Sequence, residues 1–239
     1  DQKAEIEKMN KVLAGLSGDP RATLAAGLTT AGEAISNMRR VVSLPKPAGF
    51  FDPGNPAQLQ PLKAPNPGEK PKKPKKPKKL KKGEEPPKPE FAERGALLDF
   101  ANTDMAFSGD VLVTGSYHGF NTYRLGSDGV PQLVGSTVCP GGQGDVSIVG
   151  KLLIMSVEEP RGRVDCGLQG VGEKISTARF RGLRIFDISD LAQPRQVGQV
   201  QTCRGSHTHS VVEADANRIV VYNSGTGSIR KGEELAGCV

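Results

Sequence analysis

No stretch of the 239 residues approaches the ~20 consecutive apolar residues that a membrane-spanning helix needs. The N-terminus shows no signal peptide. It opens on Asp1 and has no initiator methionine, which predicts that a preceding segment has been removed by processing or trimming. There is no GxSxG elbow, no P-loop and no dinucleotide fingerprint, so the common hydrolase and nucleotide-binding readings have no support. Histidine is scarce, with only His118, His207 and His209. Cysteine is absent before residue 139, and none of the four cysteines forms a close CxxC pair. That spacing speaks against a four-cysteine zinc site and for disulfides, which require an oxidising compartment.

A surplus of positive charge is also absent from most of the chain, although the net charge is +6. Residues 54–90 hold eleven lysines and four glutamates, a surplus of seven that leaves the remainder near −1. The high pI therefore does not point to specific nucleic-acid binding. The tract KPKKPKKPKKLKKGEEPPKPE sets lysine pairs between prolines. Proline excludes helix and like charges repel, so residues 45–96 are expected to be an extended, disordered linker. About thirty such residues at ~3.1 Å each would span about 90 Å. Lys72, Lys73, Lys75, Lys76, Lys78 and Lys79 are its candidate anion-binding residues, suited to a polyanion or an anionic surface.

Residues 1–44 form a predicted helical leader. Ile6, Met9, Leu13 and Leu16 recur at helical spacing over 4–16, and Ala34, Ile35, Met38 and Val41 do so over 30–42. Pro45 ends the second stretch. Helices this short are marginal alone, so both are expected to dock on the later domain or on a partner.

From residue 97 the pattern changes to period two. Strands are predicted at 104–107, 111–117, 119–125, 132–138, 145–149, 151–157, 182–188, 196–202, 208–212 and 218–222. Aligning Asp104, Asp145 and Thr208 brings them into register, with periods of 41 and 63 residues, the second lengthened by an irregular insertion at about 158–180. Four short strands per ~40 residues is the period of a propeller blade. A β-sandwich is the rival architecture. The repeat favours about two and a half propeller blades, at about 102–139, 143–203 and an incomplete 206–239. A ring needs more blades than this, so the chain is expected to be a fragment of a larger ring.

Matched positions in the repeat pair Cys139 with Cys166 and Cys203 with Cys238, one of three pairings that four cysteines allow. His207 and His209 lie two apart at the start of a strand, where alternate residues share a face. Both imidazoles can then reach one copper or zinc ion, with His118 at the rim. The same pair also fits channel histidines bound to water and neighbouring polar groups. Asp104 and Asp145 recur at one position and are expected to cap turns or bond backbone amides between blades. Arg204 is a further anion-binding candidate.

The strings LLDFANTDMAFSGDVLVTGSYHGFNTYRL, QGDVSIVGKLLIMSVEEPRGRVDCG and RGLRIFDISDLAQPRQVGQVQTCRGSHTHSVV resemble the bacterial secreted proteins with LVIVD repeats. GLTTAGEAISNMRRVVSLPKPAGFFDP is similar to the leader that precedes their propeller. The resemblance implies an exported β-propeller longer than this chain, secreted, periplasmic or at the cell surface, and it attaches no activity. Three functions remain open: a binding or scaffold module for a protein or polymer ligand, a copper or zinc enzyme such as an oxidase, and an attachment protein using the basic tract.

Overall fold

The computed structural model describes residues 2–15, 19, 21–27, 30–50, 101–173 and 175–227. The chain divides into two units, Asp1–Leu44 and Pro45–Val239. The first contains helix α1, Gln2–Gly15, built largely from good helix formers and ending on glycine. The second predicted helix does not form: residues 30–42 are irregular. Asn37 sits in the left-handed region at φ 56°, and the Gly32 amide reaches back to the Ala25 carbonyl at 2.8 Å. Ile35, Met38 and Val41 are all exposed. The stretch has helical spacing but no packed face among the described residues to offset the cost of ordering it.

The second unit is mainly β. Its strands are β1 Asn102–Ser108, β2 Val111–Ser116, β3 Gly119–Leu125, β4 Pro131–Val138, β5 Val146–Val149, β6 Leu152–Val157, β7 Gly182–Asp187, β8 Arg195–Gln201, β9 Thr208–Ala214 and β10 Ile219–Ser224. All ten expected strands form, with ends moved by at most two residues. They make three antiparallel sheets in the orders β1-β2-β3-β4, β5-β6-β7-β8 and β10-β9. The sandwich and the ring are both distinguished by how sheets face one another. Here β1 lies against β5, and β5 against β9, so successive first strands are neighbours.

The first two sheets repeat in detail. Each carries a register shift between its third and fourth strands, at Thr122/Tyr123 and at Ile185/Phe186. Each third strand opens on a glycine, Gly119 at φ 140° and Gly182 at φ 146°. A Cβ there would lie 2.1 Å from the Thr137 carbonyl oxygen and 1.9 Å from that of Val200. Only glycine allows the fourth strand to approach so closely. The Leu125 amide donates to Asp110 O and the Ile188 amide to Lys151 O, 2.8 and 2.9 Å, closing the same corner in both sheets.

The core lies between these sheets. Ala106, Val113 and Phe120 of the first meet Val146, Leu153, Met155 and Phe186 of the second, and all are buried. Phe120 and Phe186 pack edge to face at 4.9 Å between centroids. Each large side chain buried here contributes about 2 kcal/mol. The buried Thr122 hydroxyl donates to Leu191 O at 2.6 Å and joins the first sheet to the β7–β8 turn. The expected Cys139–Cys166 disulfide is present and ties the end of β4 to the insertion between β6 and β7. Cys203 has no free thiol, and Cys238 lies outside the described residues.

The expected linker over 45–96 begins with structure. Phe50 is buried, its amide donates to Pro47 O at 3.0 Å, and its ring meets the His118 imidazole edge-on at 5.5 Å. Residues 51–96, including the whole lysine tract, lie outside the described residues.

Replacing Gly119 or Gly182 by alanine is expected to lower stability by about 1–3 kcal/mol or more, because a carbonyl blocks the added methyl. Gly150, at φ 58° with open space around it, is the control. Gly150→Ala should cost only the backbone strain of about 1–2 kcal/mol. Urea midpoints of the three variants check the ranking.

Candidate functional site at the junction of the first strands

The site is built from a repeated handoff. Asp104 precedes the middle of β1, and its carboxylate accepts the Val146 amide of β5 at 3.0 Å. Asp145, one repeat later, accepts the His209 amide of β9 at 2.7 Å. The aspartates thus bond amides between sheets, as their recurrence predicts. An amide taken out of water without an acceptor would cost about 1–3 kcal/mol. Each carboxylate removes that cost and fixes the next first strand.

The residues that follow the handoff, Met105, Val146 and His209, hold equivalent positions. They line an open groove of about 600 Å³ together with Ile148, Val149 and Val211. Two of the three equivalents are apolar, and the third is an imidazole. The His209 side chain is fully shielded from solvent. Its Nδ1 lies 2.9 Å from Asp145 Oδ2 and 2.8 Å from Ser156 Oγ. Ser156 Oγ is in turn 2.7 Å from Ser206 Oγ, and the Ser206 hydroxyl donates to Thr208 O.

A carboxylate only accepts, so Nδ1 carries the proton that Asp145 and Ser156 share. The Ser156 hydroxyl then donates to Ser206 Oγ. In the neutral imidazole Nε2 is then a lone-pair acceptor, held in place by the bond on the opposite nitrogen. It is buried and has no hydrogen-bond partner among the described residues. The serine, histidine and aspartate do not form a nucleophilic relay, because Ser156 and Asp145 both address Nδ1. Burial pushes the Asp145 carboxyl up, but the bonds from the His209 imidazole and amide outweigh it and hold the group below the ordinary carboxylate range.

The structure does not bring the three histidines together. His207 precedes β9, and its amide donates to Ser224 O at 2.7 Å. Its Nδ1 lies 2.6 Å from Glu158 Oε2, which also accepts from the Thr226 hydroxyl. His207 and His209 therefore bind separate carboxylates, because His207 falls outside the strand alternation that would give them one face. His118 packs on Phe50 in the β2–β3 turn and is not part of the groove. Among the described residues no three His, Cys, Asp or Glu side chains gather as metal ligands. Lys72, Lys73, Lys75, Lys76, Lys78 and Lys79 lie outside those residues.

Ser156, Glu158 and Arg184 escaped sequence reasoning. Two of them carried a signal: Ser156 interrupts the apolar run Leu152–Val157, and Arg184 interrupts Gly182–Asp187.

Asp145 predicts an acid-sensitive contribution to stability. Its folded pKa is depressed, so the contribution is present above the unfolded value of about 3.9 and is lost as pH falls through the folded value. Asp145→Asn should cost about 1.5–3 kcal/mol at neutral pH, the range for hydrogen bonds to a charged group. The deficit should shrink as pH falls below about 4, and urea denaturation from pH 7 to 3 measures it.

Compared with protein-family models, curated proteins and solved structures, the chain matches none of them.

Proposed function

We propose that this chain is a run of β-propeller blades, related to the exported LVIVD-repeat proteins, and that it works as a ligand-binding module. The groove across β1, β5 and β9 is its binding surface. Four-stranded meanders in sequence order support the blade reading, as do neighbouring first strands and a repeated bulge, glycine and aspartate handoff. The Cys139–Cys166 disulfide supports an oxidising, exported location. No described helix is long and apolar enough to cross a membrane.

One observation carries the binding reading. His209 lines the groove, and its buried Nε2 lacks a protein partner while Asp145 and Ser156 hold Nδ1. A buried acceptor left unsatisfied costs stability, so a site that retains one is suited to a ligand that parts the side chains shielding it and supplies the donor. The surrounding Val146, Ile148, Val149 and Val211 favour an apolar body next to that donor. The ligand class is a small amphiphile with a hydroxyl or N–H at its tip. A metal would use the same lone pair, but a catalytic centre needs further ligands that the described residues do not gather here.

The three histidines give a sparse NMR readout. Titrating the full chain with phenol, indole and benzamide should move the His209 ring signal and leave His207 in place. His209→Phe should weaken binding at least tenfold. Fragments that bind without moving His209, or equally well to the variant, would remove the groove as the site.

A further inference from the structure

Arg184 is a buried charge that pairs with no carboxylate among the described residues. It stands on β7 between the apolar Leu183 and Ile185, and is fully buried. Its Nη1 lies against both sulfurs of the Cys139–Cys166 disulfide. Its Nη2 donates to Arg163 O at 2.6 Å, and its guanidinium carbon lies 5.2 Å from the centre of the Phe180 ring. Its Nε has no partner among the described residues. Asp165, whose charge acts on Arg184, is already held in a two-point pair by Arg163. Burial pushes the Arg184 guanidinium down to about 10, opposed by the charge of Asp165, so it remains a cation at neutral pH.

A disulfide is a poor counter-ion for a buried guanidinium, and a thiolate is a good one. We infer that Cys139–Cys166 is a redox-active disulfide, whose reduced form places the Cys139 thiolate against the Arg184 guanidinium. The roles of the two sulfurs follow from access. Cys139 is fully buried, whereas Cys166 is partly exposed. Cys166 is also held in the left-handed region at φ 58°, which disfavours a residue with a side chain and which opening the crosslink would release.

The reaction partner is a dithiol reductant. Its thiolate attacks Cys166 Sγ, the S–S bond breaks, and the electron pair leaves on Cys139 Sγ beside Arg184. The second thiol of the reductant, as thiolate, attacks the mixed disulfide and forms the reductant's own disulfide. The released Cys166 sulfur takes up one of the two protons the reductant gave up, and the other goes to solvent. Arg184 favours this sequence twice, by improving Cys139 as a leaving group and by stabilising the reduced product. The loop closed by the bridge spans 27 residues and favours the oxidised form. Comparing Arg184 variants at constant loop length isolates the arginine's effect. Reduction would free the insertion that carries Cys166 from the end of β4.

The test equilibrates the full chain with glutathione redox buffers, traps thiols with iodoacetamide and reads the Cys139–Cys166 bridge by mass spectrometry. Reduction of the wild type should be at least tenfold more favourable than that of Arg184→Met, about 30 mV for a two-electron couple. Arg184→Lys should recover most of the difference. Equal equilibria within twofold for wild type and Arg184→Met would overturn the inference. If Arg184→Met does not fold, the thiolate absorbance of the reduced chain in a Cys203→Ser/Cys238→Ser background decides the matter. Titration clearly below the free-cysteine value of about 8.5 supports the inference, and titration at or above it overturns it.

Discussion

The second and third sheets of the β unit are each tied to the sheet before by a carboxylate. Asp104 holds the Val146 amide, and Asp145 holds the His209 amide. Both bonds have a charged acceptor, and they satisfy partly buried first-strand donors. Each joins neighbouring first strands, and Asp145 also bonds back to Asp104, so the two carboxylates are linked. The core between Phe120 and Phe186, the Thr122 link to Leu191 and the Cys139–Cys166 bridge all fill the space that this handoff defines.

The same constraint produces the candidate site. Because the handoff fixes equivalent residues, Met105, Val146 and His209 come to line one groove. Where the second sheet hands over to the third, the carboxylate has two bonds to make, one to the backbone and one to the imidazole. The strand-joining carboxylate thereby becomes the hydrogen-bond partner of a buried histidine. An element that began as a strand-positioning bond now sets which nitrogen of His209 bears the proton, and leaves the other as the acceptor.

The second sheet departs from the first mainly between β6 and β7, where the insertion folds over the sheet end. Arg163 and Arg179 bridge there, and Phe180 and Val171 are buried. This covering lets Arg184 lie in the interior, against sulfur and an aromatic face in place of water. The first repeat has Asn121 at the corresponding third-strand position, a neutral residue that needs no counter-charge. The two repeats share a backbone plan and differ in the polar chemistry enclosed by it.

Strand positions were legible because they depend on local alternation and on glycine turns, which a one-dimensional pattern records. The repeat of Asp104 and Asp145 was legible for the same reason, as was the bridge from Cys139 to Cys166. The stretch 30–42 misled, because helical spacing says which residues would share a face but not whether anything covers it. His207 misled because alternation holds only inside a strand, and the strand begins one residue later at Thr208. The sequence by itself determined the element order, the period, the glycine corners and the recurring carboxylates, all of which follow from backbone sterics and nearest-neighbour pattern. The tertiary structure alone decided that Ser156 and Asp145 converge on one imidazole nitrogen, and that Arg184 faces a disulfide. Those meetings join residues 53, 64 and 45 positions apart. They depend on how sheets and loops pack in space, for which the linear pattern carries no coordinate.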